Sequence, residues 1–206
     1  MSVMTAPRML HVDPHAPEAQ VIAQAAACLR GGGLVAFPTE TVYGLGARAD
    51  DPAAVARLIS VKGRPPEKPF SILVADAVSA AVLAETSAPA TQRLMQRYWP
   101  GPLTLVLPSR TGGTVGLRCP DHPVAQALMH ASGVPIAAPS ANRSGGPEPR
   151  TAADVAATLG NAIDLMLDGG PTRAGRPSTV VEVTPSGWRV LRAGVLSVEA
   201  IAGALR

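Results

Sequence analysis

The sequence predicts an α/β domain built on a large, mixed β-sheet. Short apolar runs of strand length alternate with helix-length segments along the whole chain, and the connections between them are short. The chain of 206 residues is 47% hydrophobic, which is enough for one sizeable core. The 20 glycines and 21 prolines interrupt the apolar runs, so we interpret them as loop residues rather than signs of disorder. We therefore expect a single domain over residues 1–206, with about residues 1–16 as an N-terminal extension.

Seven segments carry helix signals. Asp51 followed by Pro52 indicates a helix start, because Asp caps free N–H groups and Pro fits the first turn. Thr151 and Asp154 resemble a capping box. We expect helices at 17–30, from 51 to about 61, from 76 onward, at 89–98, from 121 to about 133, at 151–160 and from 197 onward.

Eight apolar runs are predicted to be strands, at 34–37, 70–74, 103–107, 115–119, 134–138, 165–167, 179–183 and 188–191. The glycine-containing segment 39–46 is predicted to be a loop. Such sheets usually bind ligands in loops at the carboxyl ends of their strands. The regions around Thr39, Ser140 and Ser178 are adjacent to strand ends, so we expect a site there.

Charge and cysteine content exclude several classes of protein. The net charge of +3 fits an anionic ligand and equally fits an ordinary bacterial protein. Cys28 and Cys119 have neither zinc-site spacing nor the number needed for a disulfide framework. His11 and His15 are four residues apart, but nearby prolines disfavour a helix there, so no metal site is expected. No secretory leader pattern and no 18-residue apolar run occur, and we expect a soluble, cytoplasmic protein.

Two polar clusters point to a nucleotide ligand: Lys62-Gly63-Arg64 and Ser140-Ala141-Asn142. Fixed cations with hydroxyl, amide and backbone donors are what a protein needs to hold a polyphosphate. An alternative for the first cluster is simple compensation of a helix dipole by cations, and for the second a polar turn. Arg118 lies in an otherwise apolar stretch and needs a carboxylate, either from the protein or from a ligand.

Several familiar catalytic motifs do not occur. The chain contains no Walker loop, no G-x-S-x-G elbow and no plausible cysteine nucleophile with its base. The run Gly44-Leu45-Gly46-Ala47-Arg48-Ala49 fits a dinucleotide fingerprint, but no strand is predicted immediately before it and no acidic residue stands at the expected distance. The first hypothesis is therefore a nucleotide enzyme without a covalent nucleophile.

The motifs in their order along the chain resemble the YrdC-like family of threonylcarbamoyl-AMP synthases. The resemblance extends from about Gly32 to Leu196. It rests on segments 37–46, 62–64, 99–104, 116–118, 140–142, 177–180 and 191–192. It implies a twisted, open mixed sheet flanked by helices, with a basic concave cleft. It also implies the synthesis of L-threonylcarbamoyl-adenylate and pyrophosphate from L-threonine, bicarbonate or CO2, and ATP.

The resemblance also implies roles for single residues. Lys62 and Arg64 are expected to be catalytic and to bind the triphosphate of ATP. The rest of the ATP site is implied to be Ser140, Asn142 and Arg192. The threonine site is implied to be Thr39, Lys68, Arg118 and Ser178, with Arg118 as the partner of the threonine carboxylate. Mg²⁺ is expected to accompany ATP, held mostly by phosphates and water. No metal ligand of the protein is expected.

The resemblance implies a partner protein that transfers the threonylcarbamoyl group to tRNA next to the anticodon, while direct tRNA contact by this chain stays open. An alternative is a non-catalytic RNA-binding module, although aromatic residues are only 3% of the chain and stacking is disfavoured. A further alternative is an enzyme that uses carbamoyl phosphate, but such enzymes are much larger chains. The chain resembles the short form of the family, without the linker that closes over the site in longer relatives.

Overall fold

The structure, a computed structural model, describes residues 7–65 and 69–206. Its strands are β1 (Arg8–His11), β2 (Val35–Phe37), β3 (Gly44–Arg48), β4 (Ile72–Leu73), β5 (Leu103–Pro108), β6 (Thr114–Arg118), β7 (Ile136–Ala137), β8 (Leu165–Asp168), β9 (Thr179–Thr184) and β10 (Gly187–Arg192). Its α-helices are α1 (Ala19–Arg30), α2 (Pro52–Lys62), α3 (Ala77–Leu83), α4 (Pro89–Tyr98), α5 (Pro123–Ser132), α6 (Ala152–Leu159) and α7 (Val198–Ala204).

All ten strands form one open sheet in the order β1-β8-β2-β3-β7-β4-β6-β5-β9-β10. Four strand pairs are parallel (β1 with β8, β2 with β8, β4 with β6, β5 with β9) and the other five are antiparallel, so the sheet is mixed. This confirms the predicted α/β class. Strands that are neighbours in the sheet come from distant parts of the chain, and the loops at their ends are therefore brought together.

Helices cover both faces of the sheet, and β2 shows why its sequence is continuously apolar. Val35 and Phe37 pack with α1 and α5 on one face. Leu34 and Ala36 point the other way, into a cluster with Leu58 of α2 and residues of α6. Side chains alternate across a strand, so a strand covered on both sides has no polar positions. A third cluster, formed by β5, β6 and β9 with α4 and α7, fills the far end of the sheet.

Two strands were missed by the sequence predictions. Segment 39–46 was predicted to be a loop, but Gly44–Arg48 pairs antiparallel with β2. Its glycines concealed the strand because glycine disfavours extended structure unless a close approach needs it. That approach is present, since a Cβ on Gly46 would lie 2.9 Å from the ring of Phe37. The other missed strand, β1, lies in the expected N-terminal extension and adds an edge to the sheet beside β8.

The predicted helix caps are confirmed. The carboxylate of Asp51 accepts from the N–H groups of Ala53 and Ala54, and Thr151 and Asp154 form the reciprocal capping box. Ser197 caps the last helix through the N–H of Ala200. Within residues 7–65 and 69–206, no helix is long and apolar enough to cross a membrane.

Candidate active site

One cavity of about 870 Å³ gathers most of the residues singled out in the sequence. It lies between the end of α2, the loop after β7 and the strands β5, β6, β9 and β10. Seven of the nine expected site residues line it, namely Lys62, Arg64, Arg118, Ser140, Asn142, Ser178 and Arg192. Thr39 is buried beneath this lining, and Lys68 lies outside the described residues. Among the described residues, the cations that line the cavity outnumber the carboxylates Glu148 and Glu182.

Lys62 anchors the loop that follows β7 through three hydrogen bonds. Its side chain is buried at the end of α2, and its ammonium donates to the carbonyl oxygens of Ser140 (2.6 Å) and Asn142 and to Oδ1 of Asn142 (2.9 Å). An ammonium group has three N–H donors, so these acceptors use all of them. Burial, and secondarily the charge of Arg64, lowers the pKa of Lys62 to about 8. Lys62 is therefore fixed to the loop as well as contributing its charge to the cavity.

The loop over residues 140–147 is closed by its own polar groups. The hydroxyl of Ser140 donates to Oδ1 of Asn142 (2.7 Å), and the amide nitrogen of Asn142 donates to the carbonyls of Gly146 and Pro147. The N–H of Ser144 donates to the carbonyl of Lys62. The bond from Ser140 to Asn142 explains the Ser-x-Asn spacing, because a turn brings side chains two residues apart within hydrogen-bond distance. They give the loop a fixed shape before any ligand arrives.

Among the described cations that line the cavity, Arg64 makes the fewest hydrogen bonds. It follows Gly63, whose left-handed backbone ends α2. The guanidinium of Arg64 stacks on the ring of Phe70 at 5.1 Å and donates once, to the carbonyl of Pro69. Burial lowers the pKa of Arg64. The stacking holds the guanidinium plane against the cavity wall, and several of its N–H donors have no acceptor among the described residues.

Arg118 and the threonine pair of segment 38–43 form a second polar cluster. Nη2 of Arg118, at the end of β6, donates to the hydroxyl of Thr41 (2.7 Å) and more weakly to that of Thr39 (3.5 Å). The two hydroxyls are 2.9 Å apart, and Thr39 donates to the carbonyl of Val42. Glu40 lies 2.9 Å from the same nitrogen of Arg118. The guanidinium is thus fixed on its inner side.

Ser178 and Arg192 contact each other on the cavity wall that β9 and β10 form. Nη2 of Arg192 donates to the carbonyl of Ser178 (2.9 Å), and the Ser178 hydroxyl is 2.9 Å from that of Thr104 on β5. Burial lowers the pKa of Arg192. The register of β10 shifts between Val190 and Arg192, so Leu191 and Arg192 both line the cavity although they are consecutive.

A close backbone contact holds this wall in place. A Cβ added to Gly194 would lie only 2.3 Å from the carbonyl oxygen of Pro177. The N–H of Gly194 donates to the hydroxyl of Thr179, which also accepts from Leu196. The segment after β10 is therefore packed directly on the segment that carries Ser178.

Three residues in or beside the cavity were not among the expected site residues. Glu40 is buried between two threonines, and Thr41 makes the shorter of the two threonine bonds to Arg118. Glu148 lines the cavity with a buried oxygen, Oε2, that has no donor among the described residues. The available signal was a charged residue inside the buried segment 35–47, since carboxylates are almost never fully buried without a partner.

Comparisons with known proteins identify the family of the chain. Residues 27–194 match the family model Sua5/YciO/YrdC, described as "Telomere recombination". Threonylcarbamoyl-AMP synthase of Bacillus subtilis is 46% identical over 190 residues, which cover 87% of this chain and 55% of that relative. A protein of the same name from Alkalilimnicola ehrlichii is 44% identical over 171 residues, covering 77% of this chain and 89% of the relative.

Solved structures give the same result. The crystal structure of Pyrococcus abyssi Sua5 complexed with L-threonine superimposes with a TM-score of 0.90 at 43% identity, covering 96% of this chain and 60% of the other. The chain thus spans little more than half the length of the Bacillus relative and of the Pyrococcus protein. On the family match, the identities and the shared fold, the chain belongs to the Sua5/YciO/YrdC family.

Proposed function

We propose that this chain is a threonylcarbamoyl-AMP synthase, which joins L-threonine, bicarbonate or CO2, and ATP into L-threonylcarbamoyl-adenylate and releases pyrophosphate. One observation carries the proposal: Arg118, suited to an amino-acid carboxylate, shares a cavity with the Lys62–Arg64 and Ser140–Asn142 groups, suited to phosphates. Relatives that carry this name, and a relative that binds L-threonine, support it.

The phosphate end of the cavity supplies charge and a fixed shape. Arg64 and Arg192 offer guanidinium groups that form charge-assisted hydrogen bonds to phosphate oxygens. Lys62 adds positive charge beside them while its donors hold the loop 140–147. Pre-oriented cations stabilise the negative charge that develops on pyrophosphate as it leaves, without any rearrangement at that moment.

The threonine end positions the nucleophile. Nη1 of Arg118 makes no hydrogen bond to a described residue, so it is the guanidinium nitrogen left for the threonine carboxylate. Ser178 and the Thr39–Thr41 pair complete this end. The amine of threonine attacks CO2, loses its proton and becomes a carbamate. A carbamate oxygen then attacks the α-phosphorus of ATP, and the bond to pyrophosphate breaks in line.

No covalent intermediate with the enzyme is needed, because the carbamate itself is the nucleophile. The protein has to align two anions that repel each other, and alignment alone contributes roughly 7–11 kcal/mol in favourable cases. The described residues contain no group of three or more His, Cys, Asp or Glu side chains suited to a metal. A Mg²⁺ ion that enters with ATP would be held by phosphates and water, and it would screen phosphate charge. Of the two carboxylates that line the cavity, Glu182 pairs with Arg189, which leaves Glu148 as the one able to face the ion.

The product serves tRNA modification in this proposal. A partner protein would transfer the threonylcarbamoyl group to an adenosine next to the anticodon, in the cytoplasm. Mixed anhydrides of a carbamate and a phosphate are readily hydrolysed, so the partner would have to receive the product soon after release.

The test is exchange of labelled pyrophosphate into ATP. Exchange should require both L-threonine and bicarbonate, and Arg64→Met should lower it by roughly 10²–10³-fold, as loss of one charge-stabilising donor does in other enzymes. Arg143→Met is the matched control, since Arg143 belongs to the same loop but is exposed and does not line the cavity.

Each other outcome has a clear meaning. Exchange that does not depend on threonine contradicts the proposal, and RNA binding without any exchange would favour the RNA-binding alternative. Exchange that runs on carbamoyl phosphate in place of threonine and bicarbonate would favour the third activity considered above.

A further inference from the structure

Glu40 is a buried carboxylate to which the proposed reaction gives no task. Only 6% of its side chain is exposed, and neither carboxylate oxygen has a hydrogen-bond donor among the described residues. Burying a carboxylate in this way is costly unless a cation compensates it. The cation is Arg118, whose Nη2 lies 2.9 Å from Oε1 and whose side chain is 11% exposed.

The contact is an ion pair rather than an aligned hydrogen bond. Nη2 of Arg118 directs its donors to the threonine hydroxyls, with Thr41 at 2.7 Å, while the charge of Glu40 lies beside it. The Nε atom of Arg118 is also buried without an acceptor. Every polar contact that the guanidinium makes with the described residues is therefore on Nη2, which leaves Nη1 without one.

The Glu40 oxygens are themselves out of reach of the cavity. Both are buried, and Glu40 does not line the cavity, whereas Arg118 does. Direct contact between this carboxylate and a substrate ammonium would need the surrounding segment to open. An effect through Arg118 needs no rearrangement, because the two side chains already touch.

We propose that Glu40 is a positioning residue that holds the guanidinium of Arg118 in its orientation, so that Nη1 is ready for the carboxylate of the amino-acid substrate. The proposal rests on the proposed function, because it assigns Arg118 to that carboxylate. Without Glu40, only the neutral hydroxyls of Thr39 and Thr41 would hold the guanidinium in place. Its positive charge would then have no buried carboxylate beside it. Its orientation toward the cavity would then be lost in the free protein and recovered only at the expense of ligand affinity.

The test measures ligand binding by calorimetry for wild type, Glu40→Gln, Arg118→Gln and the double variant, with L-threonine and a non-hydrolysable ATP analogue as separate probes. Glu40→Gln should weaken threonine binding by about tenfold or more, on the scale of one charge-assisted hydrogen bond. It should leave binding of the ATP analogue unchanged. Glu85→Gln is the matched control, since Glu85 pairs with Arg110 at the same 2.9 Å distance on the exposed surface.

The double variant isolates the path through Arg118. In the Arg118→Gln background, Glu40→Gln should cause no further loss of threonine binding. The double variant has no buried charge at this place and should unfold at a higher temperature than Glu40→Gln alone, so it stays measurable even if the single variant folds poorly.

Three results overturn the inference. The first is a Glu40→Gln variant that binds threonine as wild type does. The second is equal loss of threonine and ATP-analogue binding, which indicates general disruption. The third is the same loss with and without Arg118, which indicates an independent role. Wild-type protein that binds no threonine would instead overturn the proposed function, and the role of Glu40 with it.

Discussion

Replacing Lys62 by methionine should release the loop 140–147 while leaving the sheet intact. Methionine keeps the length and the apolar stem of the side chain but removes the three donors that Ser140 and Asn142 accept. Hydrogen bonds to charged groups contribute roughly 1.5–3 kcal/mol each, and the cost of burying the ammonium offsets part of the sum. We therefore expect the free energy of unfolding to fall by about 2–4 kcal/mol in total.

The loss should be visible in two measurements. For a chain of this size it corresponds to a fall of roughly 5–15 °C in the unfolding midpoint. Hydrogen exchange should accelerate at the N–H of Ser144, which donates to the carbonyl of Lys62, and at other amides of the loop. Exchange in β1 and β8, at the edge of the sheet, should accelerate no more than the fall in global stability requires.

A matched control separates loss of the Lys62 hydrogen bonds from loss of one positive charge. The exposed Arg30 donates one hydrogen bond, to the carbonyl of Ala131, and Arg30→Met should shift the midpoint far less. The reasoning is refuted if Lys62→Met unfolds with the wild-type midpoint and the loop keeps its wild-type exchange. Lys62 would then contribute only charge.

Three further predictions concern the cavity. Because the pKa of Lys62 is about 8, wild-type affinity for an ATP analogue should fall as pH rises through 8 and the ammonium loses its charge, whereas Lys62→Met should show no such step in titrations across that range. Thr41→Val removes the shortest bond of Arg118, so it should weaken threonine binding by roughly tenfold while binding of the ATP analogue, measured in parallel, stays constant. Gly194→Ala places a methyl group against the carbonyl oxygen of Pro177, so it should lower both the unfolding midpoint and the affinity for threonine. Gly203→Ala lies in a helix where the added methyl group would meet no close contact, so it should raise the free energy of unfolding by roughly 0.5–1 kcal/mol, measured by thermal unfolding.

The sequence was sufficient for elements whose signals are local. The caps at Asp51, Thr151 and Ser197 are each made by a residue and its neighbours within three positions, so the printed order of residues already contains them. The mixed α/β class followed from the alternation of element lengths. The strand at 44–48 was missed because its glycines serve a contact with Phe37 that only the folded sheet creates.

Most residues of the shared cavity that we singled out could be found from the sequence, but their contacts with one another could not. Lys62 and Asn142 were both singled out as phosphate ligands, yet their strongest contacts are with each other, across 80 positions of sequence. A motif shows which residues matter without showing what each one touches. Glu40 was part of a segment used for the family resemblance, but its pairing with Arg118 depends on the order of strands that brings the end of β6 to the segment after β2. No local pattern in the sequence fixes that order.

The order of strands in the sheet has a consequence for incomplete chains. The cavity wall that carries Ser178 and Arg192 belongs to β9 and β10, which follow every other strand in sequence but pair with β5 near one edge. A polypeptide still emerging from the ribosome, or one cut before residue 178, therefore lacks this wall of the cavity, including Ser178 and Arg192. We expect such fragments to capture neither ATP nor threonine, so no unfinished copy competes with the complete protein for either molecule.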